Sequence, residues 1–274
     1  MSTSNLQIIS PPEYPLTDNG RKRLLYIIFA LVGSIIFITG FSLLIELIDR
    51  TLRDAYRSRR LTGLPVLAAF NGTNNLKYRG FLKACNRRAA AYACQQINGY
   101  LQPNRATIIN LLSIEKREGK SFLAKYFAQY WESEGLCVRI VSHDIDFEKE
   151  SKNYVQAQQL SDFWQLNDAE QKPDIILVEY PALCHYDIPE KVLAESDFNL
   201  LIANAARLWS EKDNARLRSV KEVLKDKILY LYLNNADRET VESFTGELPP
   251  HNSVHSFFRR LAQLGLTSKK AAVK

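Results

Sequence analysis

The chain has 274 residues, of which 46% are hydrophobic, and it carries a formal net charge of +6. This length allows one or two domains with a globular core. The sequence has no zinc-finger spacing and no RNP motif, so we expect no nucleic-acid partner and attribute the positive charge to solubility and to anionic lipid. The cysteines, at positions 85, 94, 137 and 184, have no paired C-x-x-C spacing, which is typical of reduced cytosolic thiols.

The N-terminal part predicts a short tail followed by one membrane span. Residues 1–20 are too few for a domain, and their prolines favour an extended chain. The segment from Leu24 to Ile45 then runs for about 22 residues without a charge, which gives a helix of about 33 Å, enough to cross a hydrocarbon layer. We therefore predict a transmembrane helix over residues 21–48. The alternative is a buried core helix.

Basic residues flank this span on both sides. They are Arg21, Lys22 and Arg23 before it, and Arg50, Arg53, Arg57, Arg59 and Arg60 after it. The excess after the span predicts that the C-terminal part is cytoplasmic, because segments rich in Lys and Arg remain inside. Residues 1–20 are then an extracytoplasmic tail.

Residues 49–65 are predicted to form a juxtamembrane linker. Acidic and basic side chains at i,i+4 spacing, at positions 46 and 50 and again at 49 and 53, predict that a charged helix continues from Ile45 to Arg60. This helix should end near the sequence Gly63-Leu64-Pro65.

From residue 66 to residue 274 the pattern predicts a cytoplasmic domain in which apolar strands alternate with helices. Strands are predicted at residues 66–70, 106–112, 137–142, 174–179, 198–203 and 228–233. Helices are predicted at residues 77–100, 119–134, 153–166 and 210–226, with short ones from about 237 and 253. The run Ile175-Ile176-Leu177-Val178 indicates a strand buried on both faces. The predicted fold class is therefore α/β, a parallel sheet with helices on both faces.

The sequence Gly119-Lys120-Ser121 stands between a predicted strand and a predicted helix. In that context it predicts a site for ATP or ADP with Mg²⁺: backbone N–H groups at the helix start face phosphate, Lys120 adds a positive charge, and the Ser121 hydroxyl ligates Mg²⁺. A full G-x-x-x-x-G-K-[ST] motif would have glycine at position 114, where this chain has Ile114. A left-handed backbone at Arg117 would cost about 1 kcal/mol or more. The alternative is an ordinary turn with a solvated Glu-Lys-Arg-Glu tip.

Acidic residues at strand ends are the candidate Mg²⁺ ligands, because ligands of a parallel sheet bind at the carboxyl ends of its strands. Asp144 follows the predicted strand at 137–142, and Glu179 ends the strand at 174–179. Asp144 is also the candidate catalytic residue, although an aspartate here is equally typical of a polar strand cap. Asp197 and the pair Asn234-Asn235 are more typical of turns, and the pair His251 and His255 is more typical of a surface helix.

The order of these parts resembles the bacterial tyrosine autokinases of the polysaccharide co-polymerase family. The similarity covers the proline-rich segment at 11–15, the linker at 46–53 and 61–67, a Walker A loop at 113–121, a second acidic motif at 138–144 and a Walker B strand at 174–181. The resemblance implies a P-loop NTPase-like fold, ATP with Mg²⁺ as ligands, and a place in the bacterial inner membrane. It also implies polysaccharide synthesis or export proteins as partners, and self-association as a homo-oligomer.

Several residues depart from the pattern of that family. The aspartate that the resemblance implies as activator of the tyrosine hydroxyl is Ser142 here, and serine does not act as a general base near neutral pH without its own activator. Glu179 replaces the Walker B aspartate, and the family's Glu-x-x-Arg-x-x-Arg helix motif keeps only Arg79. The signature lysine of the related Min and Par ATPases falls at Glu115, and no tyrosine follows Tyr232.

Three functional hypotheses remain. The first, which we favour, is a membrane-anchored, degenerate tyrosine-kinase-like protein that regulates or scaffolds exopolysaccharide synthesis and export, with nucleotide as a structural or switching ligand. The second is an active autokinase or ATPase that uses Lys120, Ser121, Asp144 and Glu179. The third is an unrelated membrane-tethered interaction module.

Overall fold

The computed structural model describes residues 20–72, 80–143, 145–165 and 172–249. The chain divides into two compact units, with the boundary between Asp49 and Arg50. The described part of the first unit is one helix, α1 (Gly20–Ile48). Its stretch from Lys22 to Ile48 contains an 18-residue window with a mean hydropathy of 2.5, none of which is buried, so the helix is long and apolar enough to cross a membrane.

Two polar side chains inside α1 are satisfied within the helix. The Ser34 hydroxyl donates to the Leu31 carbonyl at 2.8 Å, and the Thr39 hydroxyl donates to the Ile35 carbonyl at 2.7 Å. Such bonds let hydroxyl groups enter an apolar phase without losing a partner. Both the length of α1 and the internal hydrogen bonds of these two hydroxyl groups are therefore compatible with a membrane span.

The predicted charged helix from Ile45 to Arg60 is wrong, because the chain breaks it in two. α1 ends at Ile48, and a separate helix, α2, covers Ala55–Thr62. Asp54 starts α2 by accepting a hydrogen bond from the Arg57 backbone N–H at 2.8 Å, which is the ordinary way for an aspartate to begin a helix. α2 ends at Gly63, where the sequence predicted the end of a helix, and Gly63 has a left-handed conformation.

The second unit is built on a six-stranded sheet. Its strands are β1 (Val66–Asn71), β2 (Thr107–Leu112), β3 (Val138–Ser142), β4 (Ile175–Glu179), β5 (Phe198–Asn204) and β6 (Leu229–Ala236). Its further helices are α3 (Leu82–Ile97), α4 (Lys120–Ser133), α5 (Lys152–Val155), α6 (Glu190–Glu195), α7 (Glu211–Leu224) and α8 (Arg238–Thr245). All strand pairings are parallel, in the order β1-β6-β5-β2-β4-β3.

The α/β fold class is confirmed by this sheet. All residues of β4 are buried, which requires cover on both faces of the sheet. β2 lies between β4 and β5. After β2 the chain forms β3 and β4 on one side of β2, and it then forms β5 and β6 on the opposite side. A crevice forms at the carboxyl end of a strand in that position, and this is where parallel sheets bind ligands.

An aromatic cluster holds α4 against the sheet. Phe70 of β1 and Tyr232 of β6 lie with ring centroids 5.0 Å apart, and Phe127 of α4 lies 5.9 Å from Tyr232. All three rings are buried, and Tyr126 of α4 adds a further contact to Phe70 at 5.3 Å. These contacts hold α4 against β1 and β6.

Other departures from the predicted elements are local. The polar helix predicted at 153–166 is wrong: α5 stops at Val155, and a short 3-10 turn follows at Leu160–Asp162. The Asp162 carboxylate accepts the N–H groups of Gln158 and Gln159, so the side chain replaces the helical acceptors. α6 was not predicted. The helix predicted from about 237 is confirmed as α8, while the one predicted from 253, with His251 and His255, lies outside the described residues.

Candidate functional site

The loop between β2 and α4 carries the predicted phosphate motif. Gly119 precedes α4 with φ of 99°, and no side chain caps the helix at this end. The backbone N–H groups of the first helical turn lack partners inside a helix, and no side-chain oxygen of the described residues takes that place. They can therefore face an anion, as the sequence predicted.

Lys120 projects from the first position of α4 and is 7% exposed. Its ammonium group donates to the Ser113 hydroxyl at 2.6 Å. Burial lowers the pKa of Lys120, while the carboxylates of Glu179 and Glu118 oppose that shift. The loop thus buries a positive charge whose nearest hydrogen-bond acceptor is neutral, and a ligand anion would stabilise that charge.

Ser121 and Glu179, predicted as Mg²⁺ ligands, lie in direct contact. The Ser121 hydroxyl donates a short hydrogen bond to one oxygen of the Glu179 carboxylate, and the Ser142 hydroxyl donates to the other at 3.1 Å. Cis ligands of an octahedral Mg²⁺ are about 2.9 Å apart, since each Mg–O distance is about 2.0–2.1 Å. A hydroxyl and a carboxylate in hydrogen-bond contact at the end of β4 therefore fit this ion. Asp144, the third predicted ligand and the predicted catalytic residue, lies outside the described residues.

The alternative prediction was a solvated tip at residues 115–118. Lys116 and Arg117 are exposed as that alternative expects, but Glu118 is buried. Its carboxylate accepts the Glu115 N–H at 3.1 Å and the Arg207 guanidinium at 2.8 Å. Arg207 also donates to Asp213 at 2.9 Å. Burial raises the pKa of Glu118, and Arg207 partly opposes that rise. An acidic residue inside the loop, paired with a distant arginine, therefore sets the shape of the phosphate loop.

Asn234 is a further residue of the site, although its sequence was more typical of a turn. It lies within β6, and its side-chain amide donates to the Glu118 carbonyl at 3.0 Å. A Cβ on Gly119 would lie 2.1 Å from that amide nitrogen, so a side chain at this position would displace the Asn234 amide. Arg117 has a φ of 61°, the left-handed conformation whose cost the sequence predicted.

A cavity of about 420 Å³ opens in front of this loop. Lys120, Ser121 and Glu179 line it, together with Lys149 and Tyr186. Its volume lies within the range of small-molecule sites, about 300–1,000 Å³. The structure thus brings Gly119, Lys120, Ser121 and Glu179 to one cavity at the carboxyl edge of the sheet.

No protein-family model and no curated protein matches the sequence. Among solved structures, the chain is similar to the kinase domain of the Escherichia coli tyrosine kinase ETK, with 14% identity and a TM-score of 0.48 over 64% of this chain and 92% of that one. It is also similar to the chimerical protein CapA2B2 (14% identity, TM-score 0.47, 67% and 100% of the two chains) and to the BceF tyrosine kinase domain (12%, 0.44, 67% and 98%).

Proposed function

We propose that residues 50–249 bind the phosphates of ATP or ADP with Mg²⁺, and that α1 anchors this domain at the cytoplasmic face of a bacterial inner membrane. In this proposal the protein acts as a nucleotide-dependent regulator or scaffold of polysaccharide synthesis and export. The observation that carries the proposal is the convergence of Lys120, Ser121 and Glu179 on one cavity beside an uncapped helix N-terminus.

Different residues of the site would bind different parts of the ligand. The N–H groups of the first turn of α4 would bind phosphate oxygens, and the Lys120 ammonium would turn from Ser113 to the same anion. Ser121 and Glu179 would hold Mg²⁺, which neutralises phosphate charge when it is bound. Because the anion replaces the neutral Ser113 hydroxyl, binding would favour the charged form of Lys120.

Two features favour a regulatory role over phosphorylation of tyrosine. Ser142 stands where the resemblance implies an activating aspartate, and its hydroxyl donates to Glu179 rather than accepting a proton. The sequence has no tyrosine after Tyr232, and Tyr232 itself is fully buried. The site therefore lacks a general base at position 142, and residues 233–274 offer no tyrosine to phosphorylate.

The binding step is tested with the full chain in detergent and a fluorescent ATP analogue. Lys120→Ala removes a charge-assisted contact worth about 1.5–3 kcal/mol, so its affinity should fall by about tenfold to a hundredfold. Lys125→Ala is the matched control, because Lys125 is an exposed lysine on the same helix. Equal affinity of the wild type and Lys120→Ala would contradict the proposed phosphate site.

The choice between regulator and autokinase is tested by incubating the full chain with ATP and Mg²⁺ and blotting for phosphotyrosine. We expect no signal above that of Lys120→Ala. A strong signal that Lys120→Ala abolishes would replace the regulatory proposal with the autokinase.

The partner is tested by co-expression with subunits of a polysaccharide export complex. Capture of these subunits by both the wild type and Lys120→Ala would support a scaffold that needs no nucleotide. Capture by the wild type alone would support a nucleotide switch. Failure to capture them in either form would contradict the proposed pathway, and cross-linking of the same samples tests self-association.

A further inference from the structure

Three side chains of different chemistry meet beside the phosphate loop and outside the cavity. They are Glu115 of the loop after β2, and Cys184 and His185 of the segment after β4. One ligand atom from each lies within 4.8 Å of the other two. The Cys184 thiol already contacts the Glu115 carboxylate, with 3.3 Å between Sγ and Oε2.

Backbone hydrogen bonds place these residues together independently of their side chains. The Leu183 N–H donates to the Ser113 carbonyl at 3.0 Å, and the Cys184 N–H donates to the Ile114 carbonyl at 2.9 Å. The segment after β4 therefore runs alongside the start of the phosphate loop. Cys184 is held next to Glu115 by the main chain, and the Glu115 carbonyl is itself bonded to the Ser113 hydroxyl at 2.8 Å.

We propose that Glu115, Cys184 and His185 form a Zn²⁺ site that joins the phosphate loop to the segment after β4. Tetrahedral zinc with bond lengths of about 2.3 Å to sulfur and about 2.0–2.2 Å to nitrogen and oxygen separates its ligand atoms by about 3.3–3.7 Å. For a sulfur and an oxygen ligand the separation is about 3.5–3.7 Å, and the Sγ–Oε2 distance of 3.3 Å lies within about 0.4 Å of it. The exposed His185 imidazole needs to approach by about 1.5 Å at most, which a side-chain rotation supplies.

The ligand set selects zinc over the magnesium of the neighbouring cavity. Thiolate and imidazole are ligands for zinc, whereas Mg²⁺ takes oxygen ligands such as Ser121 and Glu179. On binding, Zn²⁺ takes the place of the thiol proton, which leaves to solvent. The fourth coordination position stays open to water, as in zinc sites with three protein ligands.

The proposed zinc ligands differ from the residues that would bind nucleotide, so the site is tested without nucleotide. The full chain in detergent is titrated with Co²⁺, which reports a thiolate ligand through its charge-transfer absorption, and Zn²⁺ is then added as the competitor. We expect one equivalent of Co²⁺ with a thiolate band that Zn²⁺ displaces. Cys137→Ser is the matched control, because Cys137 is a half-buried free cysteine outside the cluster, and it should keep the band.

The variants decide whether these particular residues bind. Cys184→Ser should abolish the band, and His185→Ala should weaken Co²⁺ binding by at least about tenfold, as loss of a ligand costs no less than loss of an outer-shell partner. His185 is exposed, so this variant keeps the test valid if Cys184→Ser fails to fold. Absence of the band in the wild type, its persistence in Cys184→Ser, or wild-type affinity in His185→Ala would each overturn the proposal.

Discussion

Replacing Gly119 by alanine should damage the phosphate loop in two separable ways. At φ of 99° a Cβ costs about 1–2 kcal/mol, of which about 0.4–1 kcal/mol is recovered from the stiffer unfolded chain. The new Cβ would lie 2.1 Å from the Asn234 amide nitrogen, so that amide must move and give up its bond to the Glu118 carbonyl, which costs about 1 kcal/mol. We expect a total of about 2 kcal/mol, or a fall in Tm of about 4–8 °C.

Gly135→Ala is the matched control for this prediction. Gly135 also has a positive φ, 87°, but no atom lies within 4 Å of the Cβ that alanine would add, so this variant measures backbone strain alone. All tryptophans of the chain lie in the second unit, so their fluorescence follows its thermal unfolding in the full chain. If the two alanine variants lower Tm equally, the steric role of Asn234 is refuted. Gly119→Ala should also weaken nucleotide binding, and Gly135→Ala should not.

The other predictions concern stability and pH. Arg117→Gly should stabilise the domain by up to about 1 kcal/mol by relieving its left-handed backbone, whereas Lys116→Gly, where φ is not positive, should destabilise it by denaturant unfolding. Tyr232→Phe should stabilise the domain by about 1 kcal/mol in the same assay, because the buried Tyr232 hydroxyl has no hydrogen-bond partner within the described part of the chain. Tyr186→Phe is its control and should not stabilise the domain, because the Tyr186 hydroxyl bonds to Glu150. Burial lowers the pKa of Lys120 below 10.5, so the unfolded state binds more protons between the two pKa values and the free energy of unfolding should rise with pH across that window. Lys120→Met should remove that rise, which denaturation at several pH values up to 10.5 measures.

The parts of the fold that the sequence predicted are those fixed by local pattern. The sequence predicted β2 and β4 to within one residue at each end, because both are mostly apolar runs rich in β-branched residues. α4 starts where a glycine with positive φ precedes a helical apolar pattern. The contact between Ser121 and Glu179 follows from the same reasoning, since the carboxyl ends of neighbouring parallel strands share one edge.

The parts that the sequence did not predict depend on contacts between distant residues. Arg207 reaches Glu118 across 89 positions of the chain, and Asn234 reaches it across 116. A buried acid in a run of four charged residues looks like a solvated tip until its partner is known. The sequence did not indicate Cys184 as a metal ligand either, because its neighbour Glu115 lies in another loop, 69 positions away, and the two residues form no recognisable motif.

The unfavourable features of this domain are concentrated in one loop. Arg117 adopts a left-handed backbone, Lys120 is buried with its pKa lowered, and Glu118 is buried with its pKa raised. Each costs stability in the unliganded protein, and together they surround an uncapped helix start. A loop that served only as a turn would be more stable with glycine in place of Arg117, an apolar residue in place of Lys120 and glutamine in place of Glu118. A bound anion stabilises both the buried ammonium group and the free N–H groups, so the same features that cost stability without ligand favour binding of phosphate.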